Sequence, residues 1–213
     1  MMLFALLKKD FLIVKKYVLI MIVVAALIPP FMRWQTPEFS GAFGFILSVI
    51  FSVFMLLQYV SIKEYQFPKA ATLLCAAPFS RKMMVLSKYV FCMVIYSACC
   101  IIYGMETLLI PELGTPDIRL FVLMLLAISV FIGVYLPVQY KWGFDRTKYI
   151  FTVVIIASPM YLPVLMRANR ADPGLLAALS PAAFYGGVVL IGLAVLAVSA
   201  SLSVAIYAKA DLA

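Results

Sequence analysis

The 213-residue sequence contains no histidine, and charged residues of both signs are scarce. Without histidine, the chain cannot form a histidine-based catalytic triad or a His-Glu-x-x-His metal site. The pattern Gly-x-x-x-x-Gly-Lys-Ser/Thr is also absent, so the sequence has no phosphate-binding loop of this kind. Only four cysteines occur, and they lack the paired spacing of a zinc site. These absences exclude several familiar classes of enzyme and metalloprotein.

Apolar residues are abundant instead. Hydrophobic residues make up 66% of the chain and charged residues 12%, against roughly 45–50% and 25% in soluble domains. A soluble domain of this length could not bury so much apolar surface, which indicates a membrane protein. The net charge of +8 comes from basic clusters between apolar runs, without a nucleic-acid-binding pattern. We therefore expect lipid, and no nucleic acid, around this chain.

A helix needs about 20 apolar residues to cross a bilayer, and six apolar runs reach or nearly reach this length. The first and fifth runs are short and contain the pairs Pro29 and Pro30, and Pro159 and Pro163, which suggest kinks or early helix ends. The predicted fold is an all-α integral membrane protein with a single transmembrane domain over residues 1–213. The predicted spans are 17–32, 43–62, 83–105, 120–138, 149–166 and 182–208.

Residues 1–16 precede the first span and carry lysines at a spacing of seven. Apolar residues occupy the opposite helical face, which predicts an N-terminal interfacial helix with its lysines towards anionic headgroups. The alternative is an irregular extension of the first span. The lysines assigned to the membrane surface are Lys8, Lys9, Lys15 and Lys16, and the apolar residues are Leu3, Phe4, Leu7, Phe11 and Val14.

The distribution of lysine and arginine predicts the orientation of the six spans. With the N-terminus in the cytoplasm, thirteen of the 17 basic residues fall on the inner side and four on the outer side. Six spans then place the C-terminus in the cytoplasm as well. Within the predicted spans there is no Asp, Glu or Arg, and Lys88 is counted with the inner side. Because secondary transporters usually need an ionisable group at mid-membrane, this pattern predicts that energy comes from a partner.

The predicted cytoplasmic segment 63–82 lies between the second and third spans. Residues 70–77 are rich in helix formers, Pro78 ends that helix, and Ser80 is placed to cap the third span. Phe67, Leu73 and Leu74 would offer apolar side chains to the cytoplasm, which suggests a protein partner. Alternatively, the short helix lies flat on the membrane.

The sequence Ala77-Pro78-Phe79-Ser80-Arg81, entering the third span, resembles the small permeases of the type-two ABC exporter superfamily. Their motif is typically Leu-Pro-Ile/Val-Ser-Arg, from which this chain departs modestly. The resemblance implies that two permeases pair, as a homodimer or a related heterodimer, and that segment 63–82 is a coupling segment for a separate ABC ATPase. That partner would bind ATP and Mg²⁺, whereas this chain would be neither an enzyme nor a cofactor-binding protein. By position, the docking residues would be Glu64, Phe67, Pro68, Leu73, Leu74 and Arg81.

Members of this branch export peptides such as bacteriocins, toxins or drugs, and amphipathic peptide is the cargo that we expect. The resemblance also implies a multi-pass protein of the plasma membrane of a bacterium. Two other classes have similar hydropathy. One is the ligand-binding membrane subunit of a vitamin uptake system, and the other is a non-transporting immunity or scaffold protein.

Overall fold

The computed structural model describes residues 2–35, 40–67, 80–110, 113, 117–168 and 181–209, and all regular structure among them is helical. Long apolar sequences with few internal breaks account for this, because a helix satisfies every backbone group within one segment of a membrane. The described residues form seven helices: α1 (Met2–Ile13), α2 (Lys15–Gln35), α3 (Ser40–Gln66), α4 (Arg81–Leu109), α5 (Ile118–Trp142), α6 (Phe144–Ala168) and α7 (Pro181–Lys209).

Each predicted span lies within one helix, and the helices extend beyond the spans at both ends. Among the described residues, five segments are long and apolar enough to cross a membrane, and they belong to α2, α3, α4, α5 and α7. The remaining predicted span, 149–166, lies in α6, which is not among the five. The membrane crossing of α6, and the cytoplasmic position of the termini, stay predictions.

The paired prolines of the first span do not end the helix, contrary to the expectation of an early end there. Helix α2 continues through Pro29 and Pro30 to Gln35, and the buried Pro29 packs against Gly44 of α3. A Cβ atom on Gly44 would lie 2.5 Å from the Cα of Pro29, closer than two carbon atoms can approach. The absent side chain of Gly44 therefore allows the close approach of α2 and α3.

Helices α3 and α4 form the centre of the bundle, and α2 and α7 are mostly exposed at its periphery. Aromatic rings fill part of the core, with Phe45 stacked on Tyr103 at a centroid distance of 4.7 Å and Phe121 edge-on to Phe45 at 5.2 Å. The most extensive contact joins α5 to α7, where Gly133 faces Val195. Small residues at this contact allow close packing, which is the main attraction between helices in lipid.

One face of α7 is tied to α4 by hydroxyl groups. The Tyr89 hydroxyl lies 2.7 Å from Ser199 Oγ and 2.8 Å from Ser203 Oγ. Ser199 Oγ also donates to the carbonyl of Gly133 at 2.7 Å. The spacing of four residues in the last span thus places both serines at a helix–helix contact, while Ser201 between them is exposed.

Candidate functional site

Four ionisable side chains meet at one end of the bundle in a closed ring of ion pairs. Lys88 Nζ lies 3.1 Å from Asp10 Oδ1 and 2.7 Å from Glu64 Oε1. Lys9 Nζ lies 3.1 Å from the same Asp10 oxygen and 3.0 Å from the same Glu64 oxygen. Each lysine therefore bridges both carboxylates. We call Lys9, Asp10, Glu64 and Lys88 the charge ring, and the end of the bundle that holds it the lysine-rich end.

Helix α1 brings Asp10 into the ring because Asp10 lies on the buried face of the helix. Leu6, Asp10 and Val14 follow one another at a spacing of four and are all buried, so they lie on the same face of the helix. Asp10 is completely buried at the centre of the face by which α1 packs on the bundle. The interior surface of α1 thus contains an acid among apolar residues, and this acid needs a partner from another helix.

The burial of the ring is uneven. The Asp10 and Lys88 side chains are 0% and 7% exposed, whereas Glu64 is 36% exposed. Burial alone would lower the pKa of Lys9, but the Glu64 and Asp10 carboxylates outweigh it and raise that pKa above its usual value. The two lysines match the two carboxylates in charge. The Asp10–Lys88 pair is therefore the desolvated half of the ring, and loss of either member would leave the other buried charge with a single partner, Lys9 for Asp10 or Glu64 for Lys88.

The ring joins three parts of the chain. Asp10 and Lys9 come from α1, Glu64 from the last turn of α3, and Lys88 from the second turn of α4. The end of α3 and the start of α4 are the two ends of the segment that follows Gln66 and precedes Arg81. The Lys88–Glu64 pair therefore holds these two ends together, and α1 is attached to both.

Two further contacts fix the start of α4. Ser80 caps the helix, as predicted, with its Oγ accepting a hydrogen bond from the Met83 N–H at 3.3 Å. Arg81 Nη1 donates to the carbonyl of Ala208 at 2.9 Å, near the end of α7. Because the last carbonyls of a helix lack intrahelical donors, this contact stabilises the end of α7 and attaches it to α4.

A cavity of about 620 Å³ lies beside the charge ring and receives residues from α1, α3, α4, α5, α6 and α7. Its walls are mostly apolar and include Leu6, Met84 and Phe144. Tyr140 and Tyr207, with ring centroids 5.2 Å apart, form an aromatic wall from α5 and α7. The volume falls within the range of about 300–1,000 Å³ that is typical of small-molecule sites.

The structure separates the predicted docking residues. Glu64 lies in the charge ring, and Phe67 is 60% exposed and lines the cavity. Arg81 is exposed and binds the end of α7. Pro68, Leu73 and Leu74, with the predicted helix 70–77, lie outside the described residues. The structure therefore brings Glu64 and Phe67 to one cavity and places Arg81 at the end of α7, whereas residues 68–79 of the segment are outside the described residues.

The lysines predicted to face the membrane surface also divide into two sets. Lys8, Lys15 and Lys16 are exposed, as an interfacial position requires. Lys9 is turned inward to the charge ring instead. The interfacial role of the three exposed lysines stays a prediction.

Asp10 and the pairing of Lys88 were missing from the sequence prediction. Asp10 is the sole acidic residue before Glu38, and it interrupts the apolar positions 3, 7 and 14 of the first helix. An acidic residue on the apolar face of an amphipathic helix indicates a buried partner of opposite charge. Lys88 has a similar signal, because it is the one charged residue within a predicted span.

Helix α4 buries two ionisable side chains, although the sequence analysis counted Lys88 with the inner side and found no acid within the predicted spans. Lys88 is buried near the start of this helix, within the predicted span. Glu106 is buried near its end, because the helix extends four residues past the predicted span. Both carboxylate oxygens of Glu106 lack a hydrogen-bond partner among the described residues. Eighteen residues separate the two, about 27 Å along a helix, which is close to the thickness of the hydrocarbon core. Between Lys88 and Glu106, α4 contains no Asp, Glu, Lys or Arg.

Comparison with known proteins gives a family for nearly the whole chain. The family model described as "ABC-2 family transporter protein" matches residues 5–208. This range includes the charge ring and the cavity. It contains α2 to α6 completely and most of α1 and α7. No curated protein and no solved structure shows significant similarity to the chain.

Proposed function

The chain belongs to the ABC-2 family of transporter proteins, and on this basis we propose that it is the membrane subunit of an ATP-driven exporter. Membership of this family and five apolar helices make it a multi-pass protein of the plasma membrane. The family also makes it a transport subunit that is not itself an enzyme. In the proposed complex, a separate ABC ATPase binds ATP and Mg²⁺, and the single permease domain 1–213 carries the cargo pathway.

The observation that supports this proposal most strongly is the charge ring at the base of segment 63–82. A loop that receives force from an ATPase must be firmly attached to the membrane helices, or its movement would not reach them. The Lys88–Glu64 pair joins the two ends of the segment, and Asp10 and Lys9 attach α1 to the same point. We infer that segment 63–82 docks the ATPase through Leu73 and Leu74, and that the ring passes its movement to α1, α3 and α4.

The proposed assembly contains two permease copies, as a homodimer or with a related subunit, since the family usually dimerises. Six spans with both termini in the cytoplasm agree with the thirteen-to-four distribution of basic residues. Cysteines introduced at Lys69 and Thr115 test this orientation. In intact cells an impermeant maleimide should label position 115 and not position 69, and the reverse pattern would contradict the proposed orientation.

The proposed cargo is an amphipathic peptide or a similar hydrophobic molecule, and the proposed direction is export. The resemblance of residues 77–81 to the small permeases of type-two ABC exporters supports this cargo and this direction. Family membership favours a transport permease over a vitamin-uptake subunit. If no ATPase binds the chain, the alternative of a non-transporting immunity or scaffold protein is favoured instead.

Substitution of the two leucines tests the docking proposal. Leu73→Asp or Leu74→Asp would place an unpaired charge in the proposed apolar contact with the ATPase, which should weaken association at least tenfold. The measurement is co-purification with an ABC ATPase encoded beside this chain. Thr72→Asp is the matched control, since it adds the same charge without removing an apolar side chain. Thr72→Asp should retain the ATPase. If Leu73→Asp and Leu74→Asp also retain it at the wild-type level, segment 63–82 is not the docking element.

A further inference from the structure

The cavity beside the charge ring has the two parts that an amphiphile requires. Its inner wall is apolar and aromatic, with Leu6, Met84 and Phe144 contributing from three helices. Its other side carries Lys9, Lys63 and Lys88. Lys63 and Lys88 lie near the ends of two apolar membrane helices, and Lys9 lies on the predicted interfacial helix α1. We therefore infer that this side of the cavity is at the level of the lipid headgroups.

The charges around the cavity do not cancel. Lys9 and Lys88 are neutralised by Asp10 and Glu64 within the charge ring. Lys63 forms no ion pair with any carboxylate of the described residues, and its Nζ donates instead to Gln66 Oε1 at 3.1 Å. Three lysines against two carboxylates leave one positive charge, which is carried by Lys63. An anionic group is therefore the electrostatically favoured occupant.

Gln139 of α5 indicates that the ligand should also carry a hydrogen-bond donor. It lines the cavity, and its buried Oε1 has no hydrogen-bond partner among the described residues. A buried amide oxygen without a donor is costly, by about 1–3 kcal/mol. A ligand with a hydroxyl or ammonium group in its head would supply the missing donor.

We propose that this cavity binds one anionic phospholipid from the adjacent leaflet, with its phosphate on Lys63, a headgroup donor at Gln139 and acyl carbons along the apolar wall. Basic pockets between membrane helices commonly hold anionic headgroups in this way. The bound lipid would contact α1 and the ends of α3 and α4 together. The proposal does not depend on an ATPase partner or on the direction of transport.

Native mass spectrometry of the purified, delipidated full-length chain in detergent tests the proposal. The probes are phosphatidylglycerol, which is anionic and carries hydroxyl donors, and phosphatidylcholine with the same acyl chains, which has neither property. One phosphatidylglycerol per chain should bind at least about tenfold more tightly than phosphatidylcholine. Lys63→Gln should weaken phosphatidylglycerol binding about fivefold, Lys63→Arg should retain it, and Gln139→Leu should reduce the preference for it.

Lys141→Gln is the matched control, because Lys141 is an exposed lysine of α5 near the lysine-rich end and does not line the cavity. It should leave binding unchanged. Equal losses in Lys63→Gln and Lys141→Gln would mean general attraction to the protein surface and would overturn the proposal. Equal affinity for the two lipids would also overturn it. Displacement of the lipid by an equimolar amphipathic peptide without net charge would assign the cavity to cargo and would overturn the proposal.

Discussion

The two ends of α4 bury ionisable residues in opposite ways. Near its start, Lys88 lies between Asp10 and Glu64, with Nζ–O distances of 3.1 and 2.7 Å. Near its end, Glu106 is 8% exposed, and neither of its carboxylate oxygens has a partner among the described residues. One helix therefore contains a compensated charge at one end and, at the other end, an acid without a hydrogen-bond partner among the described residues.

The difference shows which end is built around charge. At the lysine-rich end, three helices supply the members of one neutral ring, so each helix is held in place by the other two. At the opposite end, packing depends on shape, as in the contact of Gly44 with Pro29 and the stack of Phe45 on Tyr103. Substitutions at the two ends should therefore differ in the sign and the size of their effects.

The largest effect should follow from Lys88→Met. The substitution leaves Asp10 fully buried with Lys9 as its remaining cation, and breaking a buried pair costs about 3 kcal/mol or more. The expected result is a lower yield of folded protein and a clear fall in melting temperature in detergent. The double variant Asp10→Asn with Lys88→Met should recover part of the loss, because it removes both buried charges.

Lys8→Met is the control for this experiment, since Lys8 is an exposed neighbour on α1. It should change the melting temperature little. If Lys88→Met melts like the wild type, the charge ring does not stabilise the lysine-rich end.

A smaller effect is expected from Gly44→Ala at the opposite end. The new Cβ atom would lie 2.5 Å from the backbone of Pro29, so α2 and α3 must separate at a cost of about 1–3 kcal/mol. Gly104→Ala is the matched control, because nothing lies within 4 Å of its Cβ position. That variant should be neutral or more stable by up to about 1 kcal/mol. Thermal melting in detergent compares the two, and equal melting temperatures would contradict this account of the contact.

The smallest effect, with the opposite sign, should come from Glu106→Gln. The amide keeps the shape of the side chain and removes a charge without a described partner, so stability should be unchanged or rise by about 1 kcal/mol. The same measurement on Glu64→Gln should show a loss, because Glu64 accepts from two lysines. A strong destabilisation by Glu106→Gln would mean that this carboxylate has a partner outside the described residues.

The membrane fold was predictable from sequence, because apolar runs and a capping serine act locally. The helices contain the predicted spans, and Ser80 begins α4 as the cap pattern indicates. The continuation of α2 past Pro29 and Pro30 was not predictable in this way. At this point the buried Pro29 packs against Gly44 of α3, a contact between residues that are distant in sequence.

The candidate site was predicted only in part for the same reason. The predicted docking segment contains Glu64, but its partners Lys9, Asp10 and Lys88 come from other helices. Sequence alone assigned Lys9 to the membrane surface and left Asp10 without a role. Local pattern indicates that a residue is charged, whereas the three-dimensional arrangement of helices decides which charges meet.

The central claim is that the charge ring connects the ATPase-docking segment to the membrane helices, and ATP hydrolysis by the assembled complex tests it most directly. The measured quantity is the difference in hydrolysis rate between the ATPase with this chain in reconstituted vesicles and the ATPase alone. Glu64→Gln should retain the ATPase on co-purification but lose most of this permease-dependent rate, because the neutral amide weakens the charged contact between the end of α3 and the start of α4. Asp145→Asn, which removes an exposed carboxylate paired with Lys148, should behave like the wild type. A Glu64→Gln complex that assembles and hydrolyses ATP at the wild-type rate would contradict the claim.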